Sequence, residues 1–409
     1  MPPKYAGDHV FNAKNMKILM ISDVYFPRVN GVSTSIQTFR RELVMLGHEV
    51  DLIAPAYPLP YTEDHRTLRV RSRYLLFDPE DRMMIPGDVR RLLPRLRESS
   101  YDLVHIQTPC VAHYQGIDIA NLLNIPRVET YHTFFEEYLF HYVPVVPKAL
   151  VRALSRRFSR SQCNQLDALV VPSTAMRDKL VEYGVRVPMH VVPTGIPLAQ
   201  FAAGDGDVFR VAHGIPNDRR VLLFVGRVAF EKNVDFLLRA LERAVSVIPD
   251  LLLVIAGEGP AQASLRRLAA KLNLQEHVLF VGYLDRRDAL LDCYRAADAF
   301  VFASRTETQG LVLLEAMALG IPVISTAVMG TRDIVGPERG ALVPDDDEAD
   351  FAEHIIRLMR DGDLRARLAE EGRAYVREWH ADTLARKLVA TYQDVLAAYP
   401  AARAASCPA

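Results

Sequence analysis

The sequence holds little cysteine: Cys110, Cys163, Cys293 and Cys407 are far apart and form no CxxC pair, so neither a zinc site nor a disulfide framework is indicated, and a reducing compartment fits. Long apolar runs are missing as well. No stretch reaches about 18 consecutive apolar residues, and the opening MPPKYAGDHVFNAKN lacks the apolar centre of a secretion signal. These absences predict a cytoplasmic protein that does not span a membrane. Neither charge is in excess, since 49 Lys and Arg face 50 Asp and Glu for a formal net charge of −1, which argues against a nucleic-acid partner. The balance hides an asymmetry: 24 basic against 20 acidic residues up to Gly195, leaving 25 against 30 in the rest, so an anionic surface should meet the front half. The G-x-G-x-x-G fingerprint is absent after the first strand of either half, which argues against a dinucleotide-dependent dehydrogenase.

What is present is an α/β pattern. A chain of 409 residues is too long for one ordinary core and, at about 100–200 residues per domain, should fold as two units. Short Val/Ile/Leu runs alternate with helix-period segments, and uninterrupted apolar strands belong to doubly wound parallel sheets covered on both faces. Strands are expected at 17–22, 49–54, 103–107, 127–131, 168–172 and 190–193, and again at 221–226, 251–256, 278–282, 299–303, 322–326 and 341–343. The first helix should start with Ser33 as N-cap, bury Ile36, Phe39, Leu43 and Leu46, and stop at Gly47. The polar stretch Ala202–Asp207 reads as a linker. The expected organisation is a domain over 1–200, a second over 201–381, a last helix over 382–399 that Pro400 stops, and a flexible tail over 400–409. Two such domains leave a cleft, with ligands at the carboxyl ends of the strands.

The densest chemistry lies in Ser304-Arg-Thr-Glu307-Thr-Gln-Gly310-Leu-Val-Leu-Leu-Glu315. A strand, a glycine turn and a helix make an anion pocket, because free N–H groups at the helix start, those of Leu311 and Val312, face the ligand with the dipole behind them. Gly310 lets a phosphate come close. Glu315, one turn beyond Leu311, is placed to reach a ribose past the diphosphate, and Glu307 to face a transferred group. Alone, the two fit equally a solvated turn residue and a surface helix residue. Gly226-Arg227-Val-Ala-Phe-Glu-Lys232 follows another strand. Its two cations, a planar fork and a point charge, can converge on the same diphosphate.

These motifs resemble the retaining glycosyltransferases of GT-B fold, the group 1 glycosyltransferases: Glu307 and Glu315 with seven residues between them, Gly310 among these, preceded by Gly226-Arg227 and Glu231-Lys232. The likeness runs from Lys17 to about Tyr399 with the motifs in order. It implies two Rossmann-like domains, a nucleotide-sugar substrate held mainly by the second, an acceptor met by the first, no cofactor and no metal. It also implies that the last helix crosses back onto the first domain. Gly31 would let the donor phosphates approach from the opposite wall; the family often has two adjacent glycines where this chain has Asn30-Gly31. His132 matches a family histidine near the donor sugar, and the nucleobase would lie on backbone groups around Gly282 and Tyr283. The implied reaction is a front-face route in which the departing diphosphate takes the acceptor proton while Arg227 and Lys232 stabilise its charge.

Between Tyr138 and Leu166 there is no acidic residue, yet Lys148, Arg152, Arg156, Arg157 and Arg160 occur. The four-residue spacing of Lys148, Arg152, Arg156 and Arg160, opposite Leu150, Val151, Leu154 and Phe158, describes a basic amphipathic helix of the kind that lies on anionic membranes; packed on its own domain it would be a solvated basic face. The segments 132–138 and 306–310 are most similar to the subgroup that transfers glucose to diacylglycerol, and to relatives that mannosylate phosphatidylinositol. That likeness implies a lipid acceptor and a peripheral place on the inner membrane face. The competing readings are a transferase with a soluble sugar or polysaccharide acceptor and a non-catalytic nucleotide-sugar binder.

Overall fold

A computed structural model describes residues 15–58, 64–75, 78–132, 148–285 and 288–406. Numbered along the chain, the strands are β1 Lys17–Ile21, β2 Glu49–Pro55, β3 Thr67–Val70, β4 Ser72–Leu75, β5 Asp78–Met84, β6 Leu103–Ile106, β7 Arg127–Thr130, β8 Ala168–Val171 and β9 Met189–Val191, then β10 Arg220–Val225, β11 Leu251–Ala256, β12 Val278–Gly282, β13 Ala299–Phe302, β14 Val323–Ser325 and β15 Ala341–Leu342. The first sheet runs β3-β2-β1-β6-β7-β8-β9 and the second β12-β11-β10-β13-β14-β15, with β4 and β5 forming a separate antiparallel pair. Every ladder in the two large sheets is parallel. The central strands read as solid Val/Ile/Leu/Phe because helices cover both faces; β11 is buried at every position.

The strand order reverses between β1 and β6 in one sheet and between β10 and β13 in the other. At such a switch point the following loops diverge to opposite faces and leave a crevice outside the carboxyl ends of the strands.

Four local expectations are corrected. The first helix is Gly31–Met45 with Asn30, not Ser33, as N-cap: Asn30 is extended and its side chain accepts from Ser33 N at 2.8 Å, while Ser33 is buried inside the helix. Within Ala202–Asp207, Asp205 caps a helix at Gly206–Ala212, and a Cβ on Gly206 would lie 2.5 Å from Arg295 O, so this stretch is docked. The crossing lies upstream, where Val192 belongs to the first domain's core and Ile196 to the second's. The last helix runs Ala381–Ser406, through Pro400. Near a helix end the proline removes one donor, and the alanines around it favour continuation. Finally, β3 and the β4–β5 pair were not expected, because residues 67–84 are rich in Arg and Asp and read as surface.

The last helix packs Ala385, Leu388, Tyr392 and Val395 into the core formed by Ile18, Leu43 and Leu52. Tyr392 is fully buried and its hydroxyl lies 2.6 Å from His105 Nδ1. The two crossings pair with each other: Ile196 N donates to Trp379 O at 2.9 Å and Ala381 N to Ile196 O at 3.1 Å.

Candidate active site

On the second-domain side, the loops after β10 and β11 run backbone against backbone. A Cβ on Gly257 would lie 1.9 Å from Gly226 O and one on Gly259 2.5 Å from Val228 O, while Val228 N donates to Glu258 O at 2.9 Å. This contact sets the path of Arg227, which is half-buried. Lys232 closes a 3-10 turn, Phe230–Lys232, and the next residue, Asn233, donates from Nδ2 to Ala303 O at 3.1 Å. The end of β10 is thereby tied to the end of β13. Lys232 Nζ and Glu307 Oε2 pair at 2.6 Å, with side chains 21% and 20% exposed. Any anion that reached this ammonium would compete with Glu307 for it.

The helix after β13 is Leu311–Ala318. Its N-cap, Gly310, sits at φ 101 and ψ 48 and supplies no side-chain cap. A Cβ there would be strained by the backbone alone and would meet Leu313 Cδ1 at 3.2 Å. Leu311 and Val312 pack against the core. Glu315 is 2% exposed and accepts from the Tyr294 hydroxyl at 3.0 Å, so the reading of it as a surface helix residue does not hold. Gly282 ends β12 at φ +72, beside Tyr283, which is exposed.

The opposite wall comes from the first domain. A Cβ on Gly31 would meet nothing within 4 Å, so the glycine is not required by packing and leaves that helix start open. His132 follows β7. Its Nε2 lies 3.1 Å from Gln107 Oε1, and burial lowers its pKa to about 4. The ring is therefore neutral, donating from Nε2 and leaving Nδ1 as an acceptor. His132 O accepts from Thr308 Oγ1 at 3.1 Å, which sets this residue beside the Glu307–Gly310 turn of the other domain.

Two buried polar residues of the strand-end loops were missed. Asp23, beyond β1, accepts at Oδ2 from Thr108 Oγ1 at 3.0 Å and Ala112 N at 2.9 Å, while Oδ1 is buried without a partner among the described residues. Burial raises its pKa to about 6. A polar residue at the carboxyl end of the first strand was the available signal. Gln309 stands within the quoted turn, but its partner, Thr194, is 115 residues away.

Profiles of two families match the chain: "Glycosyl transferases group 1" over residues 205–375 and "Glycosyltransferase Family 4" over 29–200. The chain is 34% identical over 319 residues to alpha-monoglucosyldiacylglycerol synthase of Streptococcus pneumoniae, covering 76% of this chain and 71% of that protein. The chain belongs to the group 1 glycosyltransferases. This glycosyltransferase is also 29% identical over 391 residues to the GDP-mannose-dependent alpha-mannosyltransferase of Mycolicibacterium smegmatis, covering 93% of this chain and 98% of that one. Among solved structures it resembles sucrose-phosphate synthase of Thermosynechococcus elongatus, with a TM-score of 0.74, 24% identity and coverage of 94% and 100%. Anabaena HepE in complex with UDP and glucose also gives 0.74, at 17% identity and coverage of 93% and 100%. The fold of the glycosyltransferase is GT-B, as the motifs implied.

In this glycosyltransferase the basic helix is Lys148–Cys163. It docks through Val151, Ser155, Ser159, Gln162 and Cys163. Ser159 Oγ pairs with the Tyr131 hydroxyl at 2.8 Å, and Gln162 Nε2 donates to Pro109 O at 2.7 Å. Val151, grouped above with the other apolar residues, is buried; Leu150, Leu154 and Phe158 are 50%, 57% and 40% exposed. Arg152, Arg157 and Arg160 are exposed, and Arg156 is half-buried with its guanidinium 5.2 Å from the Tyr183 ring centre. The Lys148 side chain and residues 133–138 of the histidine motif lie outside the described residues. Among the described residues no helix is long and apolar enough to cross a membrane.

Proposed function

We propose that this chain is a retaining, metal-independent hexosyltransferase that moves a hexose from a nucleotide diphosphate sugar, UDP-glucose being favoured, to a membrane lipid such as diacylglycerol. The observation that supports the donor half is that Lys232, paired with Glu307, and the uncapped helix start at Gly310 follow the neighbouring strands β10 and β13, with Arg227 in the same loop as Lys232 just beyond β10. Those groups put positive charge where a departing diphosphate gains negative charge, one task a divalent ion performs in other sites. In the proposed step the bond from the anomeric carbon to the phosphate oxygen breaks and the acceptor oxygen bonds to the same face of that carbon. The acceptor proton passes to the departing diphosphate oxygen. Neutral His132 offers Nδ1 to a sugar hydroxyl, and Glu315, through its buried bond with Tyr294, holds the helix start in shape.

The lipid half is supported by the exposed apolar stripe on the helix Lys148–Cys163, flanked by arginines, and by the name of the pneumococcal relative. On this reading the enzyme works as a peripheral protein on the inner membrane face. The relative that uses GDP-mannose favours a second reading, a mannosyltransferase.

The test is donor turnover over UDP- and GDP-sugars in excess EDTA, with and without vesicles of diacylglycerol and anionic lipid. The expected result is glucosyl transfer from UDP-glucose that needs vesicles, survives EDTA and keeps the donor's anomeric configuration. A strict magnesium or manganese requirement would sink the metal-independent reading. Transfer to soluble sugars at the same rate without vesicles would sink the lipid reading.

A further inference from the structure

The crossing from the first domain to the second is gripped on every side over three residues. Ile196 pairs with the return crossing. Gly195 has no room for a side chain, since a Cβ would lie 2.5 Å from Ala381 Cα. Thr194 turns both of its backbone groups to one side chain of the other domain: its N–H donates to Gln309 Oε1 at 2.8 Å, and its carbonyl accepts from Gln309 Nε2 at 2.7 Å. Its hydroxyl pairs with Ser35 Oγ at 2.7 Å, one turn along the helix that begins at Gly31. Gln309, Thr194 and Ser35 are 6%, 5% and 2% exposed.

Gln309 immediately precedes Gly310. A primary amide has both an acceptor and a donor, so it completes the backbone pairing of Thr194 as a neighbouring strand would. Glutamate lacks the donor, and leucine lacks both. The same turn is backed by Gly330, whose N–H donates to Glu307 O at 2.9 Å. Asp333, in the 3-10 turn Met329–Asp333, accepts from Thr174 N at 2.6 Å and Thr174 Oγ1 at 2.5 Å in the first domain.

We propose that Gln309 is a positioning residue that couples the donor seat to the interdomain crossing, so that seating the donor at Gly310 and placing the first-domain wall of Gly31 and His132 over it are one event. This rests on the donor reading proposed above. Moving the turn away from the crossing breaks two buried hydrogen bonds together and leaves the amide and carbonyl of Thr194 unpaired. Arg227, Lys232 and the helix start all belong to the second domain, so grip on the diphosphate does not need Gln309. Alignment of the opposite wall does.

The experiment compares Gln309→Leu and Gln309→Glu with wild type. Affinity for UDP and GDP is read by calorimetry, and kcat with the donor that wild type uses. Nucleotide affinity should stay within about threefold, while kcat falls roughly ten- to hundredfold, the effect of losing two buried hydrogen bonds. In the Gln309→Glu variant a protonated carboxyl donates to Thr194 O as the amide does, and a carboxyl buried there has a raised pKa. Its kcat relative to wild type should therefore recover as pH falls, which a mere filler of space would not show. Variants with kcat within about twofold of wild type, a loss confined to nucleotide affinity, or a flat pH ratio would overturn the coupling. If Gln309→Leu does not fold, the pH ratio of Gln309→Glu decides. A wild type that binds neither nucleotide sinks the donor reading and the coupling with it; an active wild type with unaffected variants sinks the coupling alone.

Discussion

Changing Leu150, Leu154 and Phe158 together to serine should separate membrane docking from folding. The three are 50%, 57% and 40% exposed, so about half of each remains to be buried. Full burial of such a side chain is worth about 1.5–3 kcal/mol, which leaves about 1 kcal/mol each and about 3 together, or about two orders of magnitude in partition coefficient. That loss should be independent of salt. The companion variant, Arg152→Glu, Arg156→Glu and Arg160→Glu, removes charges worth about 1 kcal/mol each near an anionic surface, and its defect should shrink as salt rises and screens them. The assay is co-sedimentation with phosphatidylglycerol vesicles at low and high salt, beside a thermal melt. The serine variant should melt within about 2 °C of wild type, because exposed positions contribute little to the core. Unchanged vesicle binding, no binding by wild type, or a melting temperature lowered by more than about 5 °C would refute the reasoning, the last by showing that the stripe is packed.

Arg227→Ala or Lys232→Ala should lower turnover at least about a hundredfold, about 2.7 kcal/mol, with the fold intact; near-normal kcat/KM in both would remove the diphosphate assignment. Lys232→Ala should be the more severe for binding, since it also strips Glu307 of its partner inside the donor seat. His132, held at about 4 against 6.5 for the free group, is neutral across the working range. The pH profile of kcat/KM should therefore show no His132 inflection near 6.5, and one that vanishes in His132→Asn would contradict this. Because its folded value is the lower one, its contribution to stability is present above 6.5 and lost as pH falls toward 4. Urea midpoints should drop across that window more in wild type than in His132→Asn.

The two-sheet architecture was legible because a parallel strand covered on both faces carries its burial in its own composition. Leu251–Ala256, buried at every position, was bounded to the residue, whereas β3 and the β4–β5 pair, in an arginine-rich stretch away from the sheet centres, carry no such signature. Asn30 and Ser33 are both good N-caps three residues apart, and the backbone, extended at Asn30 with φ −156, chose between them. Within the site, Arg227, Lys232, Glu307 and Gly310 were legible as strand-end motifs, since a strand, a turn and a helix start are local features.

By itself, then, the sequence determined the α/β rhythm, the anion-binding turns and the period of the basic helix, all of which depend on neighbours a few residues apart. The tertiary structure alone decided which groups meet. Lys232 and Glu307, 75 residues apart, form an ion pair. Gln309 finds Thr194 across 115 residues. The helix Lys148–Cys163 has its apolar arc written in its period, but which arc faces inward depended on what the domain offered. The hydroxyl of Tyr131 and the carbonyl of Pro109 are polar partners that a buried surface must satisfy, so Ser159 and Gln162 turned to them and the leucines were left outside.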